Sequence, residues 1–212
     1  MGRRAIQAGL WWIAALGTLL ATNAWVMASE SGIPSFDRAG LILADAWRSP
    51  WLGAAFSGLT WLGSLILLLP AVLAAAFVLW SNGHRGDARF VMGALAGASI
   101  LAHLTKQLAL RPRPDLFSAL TPVVSPLSFP SVHAVQVTAV AAALLLVVAR
   151  RAPRRQRWAA LLLVSAVVLV GLSRLYLQVH YPSDVLAGTI AAACWVIGLR
   201  LVMLAPDSSP QV

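Results

Sequence analysis

The chain has 212 residues, 59% of them hydrophobic and only 11% charged, against about 25% charged in an average soluble domain. Such a composition excludes a water-soluble enzyme and describes a protein embedded in a bilayer. The formal net charge of +9 does not signal nucleic acid, because the arginines cluster between apolar runs, at Arg3-Arg4, at Arg85 and Arg89, and from Arg150 to Arg157, instead of spreading over a groove-binding face.

A transmembrane helix needs about 20 mostly apolar residues. Six runs meet that need: Ala8–Ala28, Leu52–Trp80, Phe90–Leu110, Val132–Ala149, Trp158–Tyr176 and Val185–Leu204. Residues 1–28 also admit a second reading as a cleaved signal peptide, since Val26-Met27-Ala28 suits small-residue cleavage, although the apolar core is long for one. The second run exceeds one crossing, so it tilts, kinks at Pro70, or begins as an interfacial segment around Trp47–Ser57. No repeat, linker or low-complexity tract interrupts the chain. Residues 1–212 are therefore expected to form one domain, an all-α integral membrane bundle of about six transmembrane helices. Trp11, Trp12, Trp47, Trp51, Trp80 and Trp158 stand near run ends and read as headgroup anchors. Cys194, the single cysteine, lies inside an apolar run and reads as a small core residue.

Helix count and charge together set the orientation. If six helices alternate, the clusters at Arg3-Arg4, Arg85/Arg89 and residues 150–157 share one side, which the positive-inside rule makes cytoplasmic along with both termini. Residues 29–51, 111–131 and 177–184 then lie on the exoplasmic side.

Three blocks at that boundary collect the reactive side chains: Lys106-QLALRP-Arg113-Pro114, Pro130-Ser131-Val132-His133, and Ser173-Arg174-LYLQV-His180-YPS-Asp184. Phosphoryl transfer loads negative charge on three equatorial oxygens, so its catalysis is largely positioning and stabilisation by preset donors. Arg113 is planar and suits two phosphate oxygens at once. Lys106, the only lysine, and Arg174 read by themselves equally well as snorkelling cations. Ser131 reads both as a hydroxyl donor and as a helix cap, and the free N–H groups after it form an anion site. His180 and Asp184, four residues apart, share one face of a helical turn. The carboxylate then accepts from Nδ1–H and leaves Nε2 as a lone-pair nucleophile; Asp184 also reads as an N-terminal cap or dipole partner. Arg111 is either an auxiliary contact to a headgroup or second phosphate, or a plain surface charge. His103 reads as a structural hydrogen-bonding residue, and His84 falls on the wrong face. Carboxylates cluster too sparsely for a two-metal site, so no metal or other cofactor is expected.

Taken in order from Lys106 to Asp184, the three blocks resemble the signature of the type 2 phosphatidic-acid phosphatase family, membrane lipid-phosphate phosphatases related to bacterial acid phosphatases and vanadium haloperoxidases. The resemblance implies a metal-independent hydrolase of a lipid phosphate or diphosphate working through a phosphohistidine. By it His180 attacks phosphorus, His133 protonates the leaving oxygen and later activates water, and Lys106, Arg113, Arg174 and Ser131 hold the oxygens. It implies a substrate among undecaprenyl diphosphate, phosphatidylglycerol phosphate, phosphatidate and lipid A phosphates, with undecaprenyl diphosphate ranked first. The expected location is a bacterial plasma membrane, with the lipid bilayer and its lipid phosphate as partners. A phosphotransferase passing the same phosphoryl group to a second lipid remains an alternative, as does a non-catalytic lipid-binding or transport protein. The latter is motivated by one departure: the family's Pro-Ser-Gly-His reads Pro-Ser-Val-His here. If Val132 lies in the first helical turn its φ is ordinary, and its side chain is expected to point away from the phosphate, toward lipid or the third helix.

Overall fold

A computed structural model describes residues 2–29 and 33–203, and both termini and Leu204 of the sixth expected run lie outside the described residues. Among the described residues eight α-helices follow one another: α1 Arg3–Met27, α2 Ser35–Ala46, α3 Pro50–Leu59, α4 Leu65–Ser81, α5 Arg85–Ala109, α6 Val132–Arg151, α7 Gln156–Tyr176 and α8 Pro182–Met203. Short 3₁₀ turns, Thr60–Gly63 and Pro153–Arg155, join α3 to α4 and α6 to α7. Among the described residues five helices are long and apolar enough to cross a membrane. The bent pair of Pro50–Gly63 and Leu65–Ser81, whose axes differ by 44°, is long and apolar enough to make a sixth when the two pieces are taken together.

The bend settles the ambiguity of the second run. It falls at Ser64, not at Pro70, which stays inside α4. Ser64 leaves the helical region (φ −78°, ψ 140°), and its Oγ accepts from the Ile66 N–H at 3.3 Å, giving α4 a capped start of its own. Gly63, just before the break, lies so close to Val170 and His133 that a Cβ there would sit 2.6 Å from Val170 Cγ1 and 3.0 Å from His133 Cβ. The 3₁₀ turn is thus pressed onto α6 and α7 at the site. The short helix α2 was not visible as an apolar run, since its 12 residues fall well below a crossing and include Asp37, Arg38 and Asp45.

Polar ends lengthen the helices beyond the apolar runs. Asp87 in the first turn of α5 takes Arg150 at 3.1 Å and Arg151 at 2.7 Å, from the last turn of α6. An acid at an N-terminus and bases at a C-terminus each complement the helix dipole. This pinned, basic end lies opposite the end that carries the three blocks.

Small residues let the helices approach. α1 packs along α8, where Gly198 leaves room for Trp12 and Gly97 of α5 leaves room for Trp195. Trp12 stacks on Trp195 at 5.6 Å between ring centroids and donates its Nε1–H to the Trp195 carbonyl at 3.3 Å. Trp12 is therefore part of the helix interface and not a headgroup anchor, because the glycine opposite offers it an apolar seat with a hydrogen-bond acceptor. Trp47, Trp51 and Trp158 remain exposed. Cys194 is buried in α8 against the cluster around Leu19 and Phe129.

Candidate active site

The loop from α5 to α6 is organised by short backbone pairing. Leu110, with φ 51°, turns the chain out of α5, after which Ser128 N–H donates to the Arg111 carbonyl at 2.8 Å and Arg113 N–H to the Pro126 carbonyl at 3.1 Å. Residues 111–113 are thereby laid against 126–128. Lys106, buried in the last turn of α5, donates to the Leu127 carbonyl at 3.0 Å. Arg113 donates through Nε to the Ser125 carbonyl at 2.6 Å and through NH1 to the Val179 carbonyl at 2.6 Å. Two loops are bridged by one guanidinium, which fixes its position beside His180.

Gln178, at φ 57°, makes the corresponding turn after α7 and is held by its Nε2 on the Leu41 carbonyl at 3.0 Å. His180 follows in a bend just before α8, so it does not share a helical turn with Asp184. Pro182 opens α8 at a position where a missing N–H costs nothing, and the Tyr181 carbonyl accepts the first helical bonds from Asp184 and Val185. Asp184 therefore combines its two anticipated roles. Its Oδ2 accepts from the Tyr181 N–H at 3.0 Å, as a carboxylate in the third helical position does in a capping box, and also faces His180 Nδ1 at 3.4 Å.

The partners of His180 define its tautomer. Nε2 lies 3.4 Å from Arg113 NH1, and a guanidinium only donates. Nε2 is then the acceptor and Nδ1 carries the proton toward Asp184. Burial above all, then the charges of Arg174, Arg113 and Lys106 and the adjacent His133, hold the His180 pKa well below the ordinary histidine range. The ring is neutral near pH 7, with its lone pair directed to the cations. Burial pushes the Tyr181 phenol up to about 12, with Arg111 opposing, so it stays protonated.

Ser131 is the N-cap residue of α6, and Pro130 stands just before it, outside the helix. The Ser131 N–H donates to the Asp184 carbonyl at 3.2 Å, which joins the starts of α6 and α8. Its hydroxyl makes no cap bond and is buried without a protein partner. Arg174, buried on α7, donates NH1 to Thr60 Oγ1 at 2.6 Å, while its Nε has no protein partner. Val132 is the first residue of α6, has no positive φ, and packs against the apolar cluster that includes Leu95, Ala98 and Ala102 of α5. His133 lies beside it, half-buried, over Gly63. His103 donates its Nδ1–H to the Ser99 carbonyl at 2.8 Å, away from this group.

Arg111 is placed differently from either expectation. It is buried, with NH2 on Asp37 at 2.7 Å, NH1 on Asp184 at 2.6 Å and on Ser183 Oγ at 2.8 Å, and its guanidinium lies 3.8 Å from the Tyr181 ring centroid. Both ends are consumed by carboxylates, so it is neither a surface charge nor a free donor for a second phosphate. Sequence reasoning missed Asp37, Thr60 and Gly63, whose only signal was a lone acid and small polar residues in stretches read as exterior or spanning. Among the described residues no three His, Cys, Asp or Glu side chains gather as metal ligands.

The set of donors around a neutral imidazole can hold a tetrahedral oxyanion and accept its phosphorus. The model of the PAP2 superfamily matches residues 87–206, a span that contains all of these groups except those on α2 and the 3₁₀ turn. The chain belongs to this family. Phosphatidylglycerophosphatase B of Bacillus subtilis (strain 168) is 27% identical over 175 residues, spanning 80% of this chain and 82% of that one. Decaprenylphosphoryl-5-phosphoribose phosphatase of Mycobacterium tuberculosis (strain ATCC 25618 / H37Rv) is 43% identical over 101 residues, which is 45% of this chain and half (50%) of that protein's length. The crystal structure of a transmembrane PAP2 type phosphatidylglycerolphosphate phosphatase from Bacillus subtilis superposes with a TM-score of 0.77 at 25% identity, covering 89% of this chain and 94% of that one. This PAP2 protein is thus an integral membrane phosphoric ester hydrolase of the lipid phosphatase family.

Proposed function

We propose that this PAP2 protein hydrolyses a lipid-linked phosphate or diphosphate at the exoplasmic face of a bacterial plasma membrane, through a phosphohistidine on His180. The observation that carries the reading is the double hydrogen bonding of His180, with Nδ1 toward Asp184 and Nε2 toward Arg113. His180 Nε2 forms a bond to phosphorus as the bond to the lipid oxygen breaks, and His133 gives that oxygen its proton. The same His133 then takes a proton from water, whose oxygen displaces the imidazole and frees phosphate. Lys106, Arg113, Arg174, the Ser131 hydroxyl and the first N–H groups of α6 hold the three equatorial oxygens. Val132, packed into the core, leaves that space clear. The chain 1–212 works as one domain.

The basic, pinned end of the bundle supports a cytoplasmic assignment for Arg85, Arg89 and residues 150–157, which puts the opposite end, with the site, outside. A headgroup there reaches the cations while its tail stays in lipid. Undecaprenyl diphosphate is the substrate proposed first, with phosphatidylglycerol phosphate and decaprenylphosphoryl-5-phosphoribose as the competitors that the relatives' names suggest. Phosphate release from these three by the purified protein, with and without chelator, decides among them. His180→Ala is expected to abolish release while chelator leaves the unaltered protein active; turnover above a trace in His180→Ala removes the proposed nucleophile.

A further inference from the structure

Asp37 lies in the first turn of α2, outside all three sequence blocks, and is fully buried. Its Oδ1 accepts from the Ser183 N–H at 2.8 Å, and its Oδ2 accepts from Ser183 Oγ at 2.7 Å and from Arg111 NH2 at 2.7 Å. It thereby caps the first turn of α8 from a separate helix and holds one end of Arg111. The other end of Arg111 lies on Asp184 Oδ1 at 2.6 Å, the carboxylate whose second oxygen faces His180.

Charge counting gives this arrangement its consequence. A buried Arg111–Asp184 pair by itself would be neutral, and Asp184 would offer His180 little more than a dipole. One cation shared between Asp37 and Asp184 leaves one net negative charge in the cluster. The other groups that face His180 are Arg113 from the 110–131 loop, Arg174 from α7, Lys106 from α5 and His133 from α6. All are cationic or neutral, so the Asp184 side is the anionic face of the ring. When Nε2 takes the phosphoryl group and Nδ1 keeps its proton, the imidazole becomes cationic, and the residual charge on that face stabilises it.

We propose that Asp37 is a positioning residue for the nucleophile: by engaging Arg111 from α2 it fixes Asp184 and keeps Arg111 from neutralising it. The inference rests on the reading of His180 as the nucleophile. Asp37 touches neither phosphate nor imidazole and acts through Arg111 and Ser183.

A charge cycle in the full-length purified protein tests it, using Asp37→Asn, Arg111→Gln, the double variant and His180→Ala. Binding of orthovanadate, which takes a nitrogen ligand as it becomes trigonal bipyramidal, is compared with binding of inorganic phosphate, which uses the cations alone. Hydrolysis of a short-chain phosphatidic acid in detergent supplies kcat and KM. In Asp37→Asn, kcat and vanadate affinity are expected to fall together by roughly tenfold or more, while KM and phosphate affinity stay within about threefold. The double variant is expected to recover most of the vanadate-to-phosphate preference, because the cluster again carries one net negative charge, now on Asp184. Equal losses for both anions, an unchanged Asp37→Asn, or a double variant no better than the single would make Asp37 merely structural and overturn the proposal. If Asp37→Asn does not fold, the double variant, which removes a buried pair together, decides by whether that preference is kept. Activity or vanadate preference surviving in His180→Ala would refute the nucleophile itself; an inert His180→Ala with a flat charge cycle would refute the role of Asp37 alone.

Discussion

Replacing Thr60 by valine isolates what the 3₁₀ turn contributes to catalysis. Thr60 is 8% exposed and Arg174 6%, and their contact, NH1 to Oγ1, is 2.6 Å long. Valine keeps the shape of threonine but has no acceptor, so Arg174 would be left with NH1 as well as Nε lacking a protein partner. A hydrogen bond to a charged group contributes about 1.5–3 kcal/mol, and each 1.4 kcal/mol or so is a factor of about ten in rate. If Arg174 works on the phosphate from its observed position, Thr60→Val should lower kcat/KM for the lipid phosphate by about 10- to 150-fold. The lower part of that range is the natural outcome, since phosphate oxygens can take up part of the freed donor capacity. Thr60→Ser keeps the hydroxyl and should stay within about threefold of the native value. Both variants are assayed by phosphate release across substrate concentrations, with thermal unfolding in detergent to follow the fold. A native kcat/KM in Thr60→Val would refute the idea that Arg174 acts from this geometry. Equal losses in the serine and valine variants would place the effect in packing of the turn instead.

Because the His180 pKa is held well below its ordinary value by burial and then by Arg174, Arg113 and Lys106, its neutral form should persist under mild acid. The acid limb of kcat/KM contributed by His180 is thus expected below about pH 6.5, and a limb above that value would show a protonated resting imidazole. The same shift carries a stability cost on the acid side. The unfolded chain takes up this proton first, so the stability held by neutral His180 above about 6.5 is lost as pH falls toward its folded pKa, measurable as a falling unfolding temperature. Val132→Gly should change turnover by less than about tenfold, or about 1.4 kcal/mol of barrier, because Val132 packs on the core and not into the site; a protein inactive until the valine is removed would instead favour a binding role. Cysteines in place of Ser118 and Ala152, in a Cys194→Ala background, test the orientation with a membrane-impermeant thiol reagent on intact cells. Labelling is expected at position 118 and not at 152, and the reverse would put the site in the cytoplasm.

Residue type and order alone determined that this chain is a helical membrane bundle whose reactive groups gather at one end. Hydropathy and charge act locally: an apolar run of about 20 residues has nowhere to satisfy its backbone in lipid except within its own helix, so each run could be read without its neighbours. The spacings of Lys106 to Arg113 and of His180 to Asp184 were legible too, as short separations along the chain, although Arg113 lies in the loop after α5 and His180 in the bend before α8. Tertiary structure decided the rest. Arg111 meets Asp37 across 74 residues and Arg174 meets Thr60 across 114, and no local pattern marks either pair, because a single acid or threonine carries no periodicity. Whether Trp12 faced headgroups or a neighbouring helix depended on Gly198 and Trp195 lying opposite it. The long second run was divided at Ser64 and not at Pro70, by a serine that caps α4 and a glycine that admits His133 and Val170. Burial is what makes such contacts decisive: an arginine that would remain solvated at a surface must find its carboxylates once the fold removes water.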